Sequence, residues 1–266
     1  MIFSHQTTSQ LEEYVPRVEA LSLKEIRMNS LLNNDFAPIT FRFGFIEVPF
    51  PALSDAFIHW FRTLGEKQDL KTDFRTFDAP LASAFSTLEP LTTPLDRYLL
   101  VETASRWTAI FANGLRVNDV CSPVSYLPTI LKCRGLEVGH APDLSHMPRK
   151  DAIRKWGHTL FALNGPEQTD WLNRIRYVHV WNDAGGGEFS AEGEVQPFEE
   201  LGNYEKTKIK DRFSAEMLVR YCRALDIELN DADFYGPGHC AVRIAGRKAS
   251  GNPCMSIAEA RSHLDL

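Results

Sequence analysis

Residues 97–138 read RYLLVETASRWTAIFANGLRVNDVCSPVSYLPTILKCRGLEV, and this stretch decides the fold class. Tyr98–Thr103 is apolar and rich in strand formers, Ala104–Arg106 supplies a short turn, and Trp107–Ala112 returns as the second strand of a hairpin. Asn113-Gly114 ends that strand with a dipeptide that tolerates positive φ. Pro128 conflicts with a helix running from Ser122, because its ring clashes with the preceding turn. With Ser125 as N-cap, Pro128 falls in the first turn, where no N–H is needed, and the predicted helix Tyr126–Arg134 ends at Gly135 as its left-handed residue. Leu136–Val138 follows as a strand.

Working outward, Ile39–Val48 is a strand with Phe41, Phe43 and Phe45 on one face, ended by Pro49 and Pro51. Leu53, Phe57, Trp60, Phe61 and Leu64 then recur at helical spacing, with Ser54 or Asp55 as the cap and Gly65 at the end. Residues 66–95, broken by three prolines, read as an extended connection with at most one helical segment. They mark a candidate boundary between an N-terminal strand–helix region (1–95) and a main domain (96–266).

Beyond the opening stretch, Thr159–Leu163 is a strand with its turn at Asn164–Pro166. Ile175–Asn182 is a strong strand, with Val178 and Val180 on one face and Tyr177, His179 and Trp181 on the other. Asp183–Gly187 turns the chain so that Glu188–Val195 pairs back. Phe213–Asp226 is a helix capped by Ser214, with Met217, Leu218, Tyr221, Cys222 and Leu225 on its buried face. A strand near Cys240–Ile244 and a helix near Ile257–His263 complete the chain. Hairpins without a βαβ rhythm predict an α+β fold: a mixed, mainly antiparallel sheet with helices packed against it.

The 44% hydrophobic and 24% charged residues of this 266-residue chain suit a soluble globular protein with an ordinary core. No stretch of about 18 apolar residues predicts a membrane span, and the start MIFSHQTTSQ lacks the basic and apolar regions of a signal peptide. Five dispersed cysteines without a CxxC pair argue against zinc ribbons and thioredoxin-like chemistry, so a reduced, cytoplasmic protein is expected. No cofactor is expected.

The net charge of −6 is concentrated. Glu188–Asp233 holds twelve acids against six bases, which accounts for the whole excess, and Glu188, Glu192, Glu194, Glu199, Glu200 and Glu205 precede its first base, Lys206. An acidic face repels nucleic acid and attracts basic proteins; its bland alternative is a solvated loop. The short basic cluster Arg149, Lys150, Arg154 and Lys155 does not offset this, so no nucleic-acid partner is expected.

The chain has no GxxxxGK[ST] loop, GxGxxG turn, GxSxG elbow or HExxH helix. Three clusters remain as places for chemistry. His179 and Asp183 flank a Gly185–Gly187 turn, where backbone N–H groups suit an anion beside a general acid or base; read blandly, this is a hairpin turn. His239 and Cys240 stand together, but strand alternation points them to opposite faces, and Cys240 shares its face with Val242 and Ile244 as core. Glu102, Arg106, Trp107, Asn113, Arg116 and Asp119 suggest a buried carboxylate needing Arg106 or Arg116 as counter-ion, in a structural pair or a substrate clamp. His140, Asp143 and His146 are the nearest approach to a metal set, and no metal site is assigned.

Three function classes follow. The first is an intracellular protein-binding protein, acting as an immunity protein or antitoxin does, that neutralises a basic protein partner. Its contacts would be Trp181, Glu188, Glu192, Glu194, Glu199 and Glu200. The second is an enzyme of a class outside the motifs above, using His179, Asp183 and His239 near the glycine turn. The third is a self-associating structural subunit anchored by Trp107, Trp171 or Trp181. The expectation adopted is the first.

Overall fold

A computed structural model describes residues 32, 35–68, 70–93, 95–115, 120–142, 157–183, 186–245 and 254–264. Among these residues, nine strands form one open sheet: β1 (Arg42–Ile46), β2 (Lys71–Asp78), β3 (Arg97–Thr103), β4 (Thr108–Ala112), β5 (Gly135–Ala141), β6 (His158–Asn164), β7 (Arg174–Asp183), β8 (Gly186–Gly193) and β9 (Tyr235–Ala245). Their order is β2-β9-β3-β4-β1-β5-β6-β7-β8, and every strand pairing is antiparallel. The α+β class expected from the hairpins is what the chain adopts. Residues 1–95 supply the central strand β1 and the edge strand β2 to the same sheet as the rest.

Each face of the sheet carries its own apolar layer. On one face, Phe43, Phe45, Leu99, Phe111, Val138, Phe161 and Val178 meet the helices α2 (Leu81–Phe85), α5 (Ala215–Arg223) and α6 (Ile257–His263). Helix α4 (Leu201–Tyr204) adds Tyr204 to the same layer. On the other face, Ile46, Tyr98, Leu100, Ile110 and the β9 row Cys240, Val242 and Ile244 pack under α1 (Phe50–Gln68) and α3 (Cys121–Leu131). The period-two alternation of β3 and β4 therefore serves two cores, which is why both strands read as continuous apolar runs. No helix of the described residues is long and apolar enough to cross a membrane.

The opening hairpin stands as read, with Leu99 opposite Phe111 and Leu100 opposite Ile110. Asn113, at its end, is fully buried. Its amide oxygen accepts from the N–H groups of Asp96 and Arg97, and its NH₂ donates to Pro90 and Asp96, so its role is structural. The following helix departs from the expectation. It begins at Cys121, not Tyr126, and Lys132, not Gly135, is the left-handed residue at its end. Pro123 occupies the first turn, and Pro128 is tolerated in the interior although it has no N–H for the Val124 carbonyl. Gly135 sits against that same carbonyl: a Cβ there would lie 2.3 Å from the Val124 oxygen and 2.7 Å from Pro128 Cγ. Gly44 of β1 allows the same close approach, since its Cβ would meet Val124 Cγ2 at 2.3 Å.

Other differences have local causes. Ile39–Phe41 is a 3-10 turn, so β1 starts at Arg42, although Phe41 still packs on the first apolar layer. Strand β2 lies within the stretch read as a connection. It is an edge strand whose two phenylalanines, Phe74 and Phe77, are three residues apart and give no period-two signal. Each is covered instead by an arginine, Arg62 over Phe74 and Arg75 over Phe77. Helix α6 carries a complete capping box between Ser256 and Glu259.

Gly135→Ala should destabilise the protein by about 3 kcal/mol or more, the upper end for overpacking, because the Val124 carbonyl cannot move aside. Gly202→Ala, with nothing within 4 Å of its Cβ, serves as the near-neutral control. Urea unfolding of both variants checks this.

A candidate binding face on the outer strands

Helices α1 and α3 cover one face of the sheet from β9 to β5, and α3 reaches only the near side of β6. Beyond it, on the same face, the strand register lays out three rows: Ala141–His158–Trp181–Glu188, Gly139–Leu160–His179–Ser190 and Glu137–Ala162–Tyr177–Glu192. The alternation of β7 puts its aromatic and imidazole side chains here and its valines in the core, as its sequence predicts. The β7 side chains of the three rows are half-exposed, and Glu188 and Glu192 on the edge strand β8 are exposed.

The rings form a ladder. His179 stacks on Trp181 at 4.6 Å and 24°, Tyr177 meets His179 edge-on at 5.6 Å, and Trp171 meets Tyr177 at 5.2 Å. The Tyr177 hydroxyl and His179 Nδ1 are hydrogen-bonded at 2.9 Å, and burial leads the causes that raise the Tyr177 pKa. The Arg174 guanidinium lies over both Trp171 (4.7 Å) and Tyr177 (4.9 Å), so the ladder already holds one cation. Trp171 and Leu172, 44% and 53% exposed, form the apolar tip of this face at the β6–β7 turn. Within the face, Arg42 pairs with the buried Glu137 at 2.7 Å.

The acidic segment divides in two. Glu188, Glu192 and Glu194 are exposed at or beside the sheet edge. Glu199, expected on the surface, is instead a buried structural carboxylate. Its fully buried side chain accepts two bonds from Arg176 (2.6 and 2.8 Å), one from the Gln196 N–H and one from the Tyr204 hydroxyl. The Tyr204 hydroxyl is also bonded to that of Tyr221 on α5, so the network pins residues 196–204 to the sheet and helix. Glu200 is held by Arg220 through two bonds of 2.6 and 3.0 Å, which lowers its pKa.

The remaining candidates are dispersed. His239 lies on β9, six strand spacings from β7, or about 29 Å at the usual separation. It also faces the opposite layer, so His179 and His239 do not share a site. His239 is fully buried, donates from Nε2 to the Ala79 carbonyl at 2.8 Å, and is pushed to lower pKa by burial. Burial raises the Cys240 thiol to about 11, leaving little thiolate at neutral pH. Asp183 ends β7 opposite Gly186, and residues 184–185 lie outside the described residues. Glu102 is exposed beside Gly236 and Gly238, where the β3–β9 register shifts, and is not the buried carboxylate expected. Arg106 pairs with Glu47 at 3.0 Å, and Trp107, 1% exposed, donates its indole N–H to the Leu225 carbonyl, so it is core and no interface anchor. Arg116, Asp119, Asp143, His146 and the basic cluster 149–155 lie outside the described residues. Among the described residues, no three His, Cys, Asp or Glu side chains are placed to hold a metal ion.

Cavities open among the described residues. One, of about 710 Å³, lies between the ends of β5–β8 and the start of α5, and another, of about 830 Å³, lies between the start of α2 and the turn before β9. Sequence reasoning named His140 only as a metal candidate. It lines the first cavity with Nδ1 3.1 Å from the Thr159 hydroxyl, and burial lowers its pKa to about 4 despite the opposing pulls of Glu216 and a bond to the His158 backbone.

His140, half-buried and held neutral by its surroundings, must take up a proton as the chain unfolds in acid, so its contribution to stability is present above pH 6.5 and lost as pH falls toward 4. A shift from 6.5 to about 4 is worth up to about 3 kcal/mol. His140→Gln should therefore flatten the fall in stability between pH 6.5 and 4, read from urea midpoints at each pH. Glu199→Gln leaves Arg176 buried without its counter-ion and should cost about 3–5 kcal/mol, whereas Glu192→Gln should leave the thermal midpoint unchanged.

No protein-family model matches this chain, and no curated protein or solved structure matches it either.

Proposed function

We propose that this is a protein-binding protein that neutralises a basic protein partner, in the manner of an immunity protein or antitoxin, through the outer face of β7 and β8. One observation carries the reading: the ladder Trp171–Tyr177–His179–Trp181 runs beside the exposed carboxylates Glu188 and Glu192, and it already holds the Arg174 guanidinium. Aromatic faces bordered by carboxylates suit lysine and arginine side chains, because the ring quadrupole and the full negative charge attract the same cation. Aromatic residues also supply large contact area at low entropic cost, which is why they dominate binding hot spots.

The edge position adds to this. β8 is paired on one side only, and its carboxylates protect it from pairing with copies of itself while attracting a basic chain. Of the carboxylates named from the sequence, Glu188, Glu192 and Glu194 remain as contacts. Glu199 and Glu200 are committed to Arg176 and Arg220.

The triple variant Glu188→Gln, Glu192→Gln, Glu194→Gln should lose retention of basic proteins from a cell extract at low salt, while Glu200→Gln keeps it. For the isolated partner, dissociation should become at least about tenfold faster in Trp181→Ala. Equal retention by the triple variant and the unaltered protein overturns the reading.

A further inference from the structure

The cavity at the start of α5 is lined by Trp181 of the aromatic ladder but by none of the carboxylates Glu188, Glu192 and Glu194, so it shares one residue with the face proposed above. Its floor is the cross-strand row His140–Thr159–Val180. Its roof is the segment Thr207–Lys210 together with Ser214–Glu216, where α5 begins. At about 710 Å³ it falls within the usual range for small-molecule sites, roughly 300–1,000 Å³.

We propose that this cavity binds a phosphorylated small molecule of nucleotide size, with its phosphate between Lys208 and Lys210 and its flat body against Val180 and Ile209.

The charges argue for it. Lys208 and Lys210 both line the cavity, are exposed, and have no ion-pair partner among the described residues. That is notable in a segment where acids outnumber bases two to one. Two acids of the segment, Glu200 and Glu228, are paired with Arg220 and Arg223 and not with these lysines. A phosphate monoester carries close to two negative charges at neutral pH, which matches two lysines; a carboxylate carries one.

Hydrogen-bond donors point the same way. The Ser214 side chain accepts from the Met217 N–H, which leaves the N–H groups of Ala215 and Glu216 without an acceptor among the described residues. Ala215 is 6% exposed and lines the cavity, so an acceptor brought by a ligand would complete that helix end. The floor is uncharged: His140 and the Thr159 hydroxyl are bonded to each other. Glu216 is the single lining carboxylate among the described residues, and it suits a hydroxyl or amino hydrogen on the neutral part of the ligand.

The test is calorimetric titration of the full chain with AMP, inorganic phosphate and adenosine as probes. AMP should bind most tightly, inorganic phosphate more weakly, and adenosine too weakly to measure. Lys208→Ala with Lys210→Ala should weaken AMP by at least about tenfold. The thermal midpoint without ligand should stay unchanged, since both side chains are exposed and unpaired. The variant lacking Glu188, Glu192 and Glu194 should bind AMP as the unaltered protein does. No binding of either AMP or phosphate overturns the proposal, and so does equal AMP binding by the double lysine variant or adenosine binding as tight as AMP.

Discussion

A sheet of nine strands has two faces to cover, and helices α1 and α3 cover only part of one of them. This constraint organises the molecule. Over β9, β3, β4 and β1 the apolar side chains of that face, among them Leu100, Ile110 and Val242, are buried under these helices. Over β6–β8 the same face carries His158, Tyr177, His179, Trp181, Glu188 and Glu192 in register. Large amphipathic side chains tolerate half-exposure where aliphatic ones do not, because each presents an apolar body and a polar tip. The proposed binding face is thus the part of the sheet whose composition suits contact with water and with a partner.

The seam between the two halves depends on close backbone approach. Helix α3 settles onto β1 and β5 only because Gly44 and Gly135 have no Cβ to meet Val124 and Pro128. The carbonyl that Pro128 leaves without its helical donor is the atom Gly135 approaches, so a helix irregularity and a strand glycine form one feature. On the opposite face, the buried Arg176–Glu199 pair holds residues 196–204 against β7 and α5. That pair fixes the loop without exposing its charge, which separates the structural acids of the segment from those left for binding.

The acidic segment shows why charge counting reads a surface incompletely. Glu192, Glu199 and Glu200 are equivalent in a list of residues, yet one is exposed at the sheet edge, one is sealed beneath an arginine and one is clamped by another. Their partners Arg176 and Arg220 are 23 and 20 residues away, distances over which no local pattern reports pairing. Glu199 and Glu200 are therefore tied into ion pairs within the fold. The cavity at α5 left no sequence signal at all, since His140, Thr159, Lys208 and Lys210 come from elements joined only by the fold.

The sequence by itself determined the local elements: the β3–β4 hairpin, the two-faced β7, the Ser214-capped α5 and the terminal helix α6. Each rests on periodicity, caps or turn residues within a few positions, and those forces act along the chain. It did not reveal β2, whose phenylalanines are shielded by arginines and keep no period of two, or the start of α3 at Cys121. Only the tertiary structure decided that His179 and His239 stand apart, that Trp107 is core, and that Trp181, Glu188 and Glu192 share one face. Strand order and the pairing of distant charges come from contacts between residues far apart in sequence, and those contacts exist only once the chain has closed on itself.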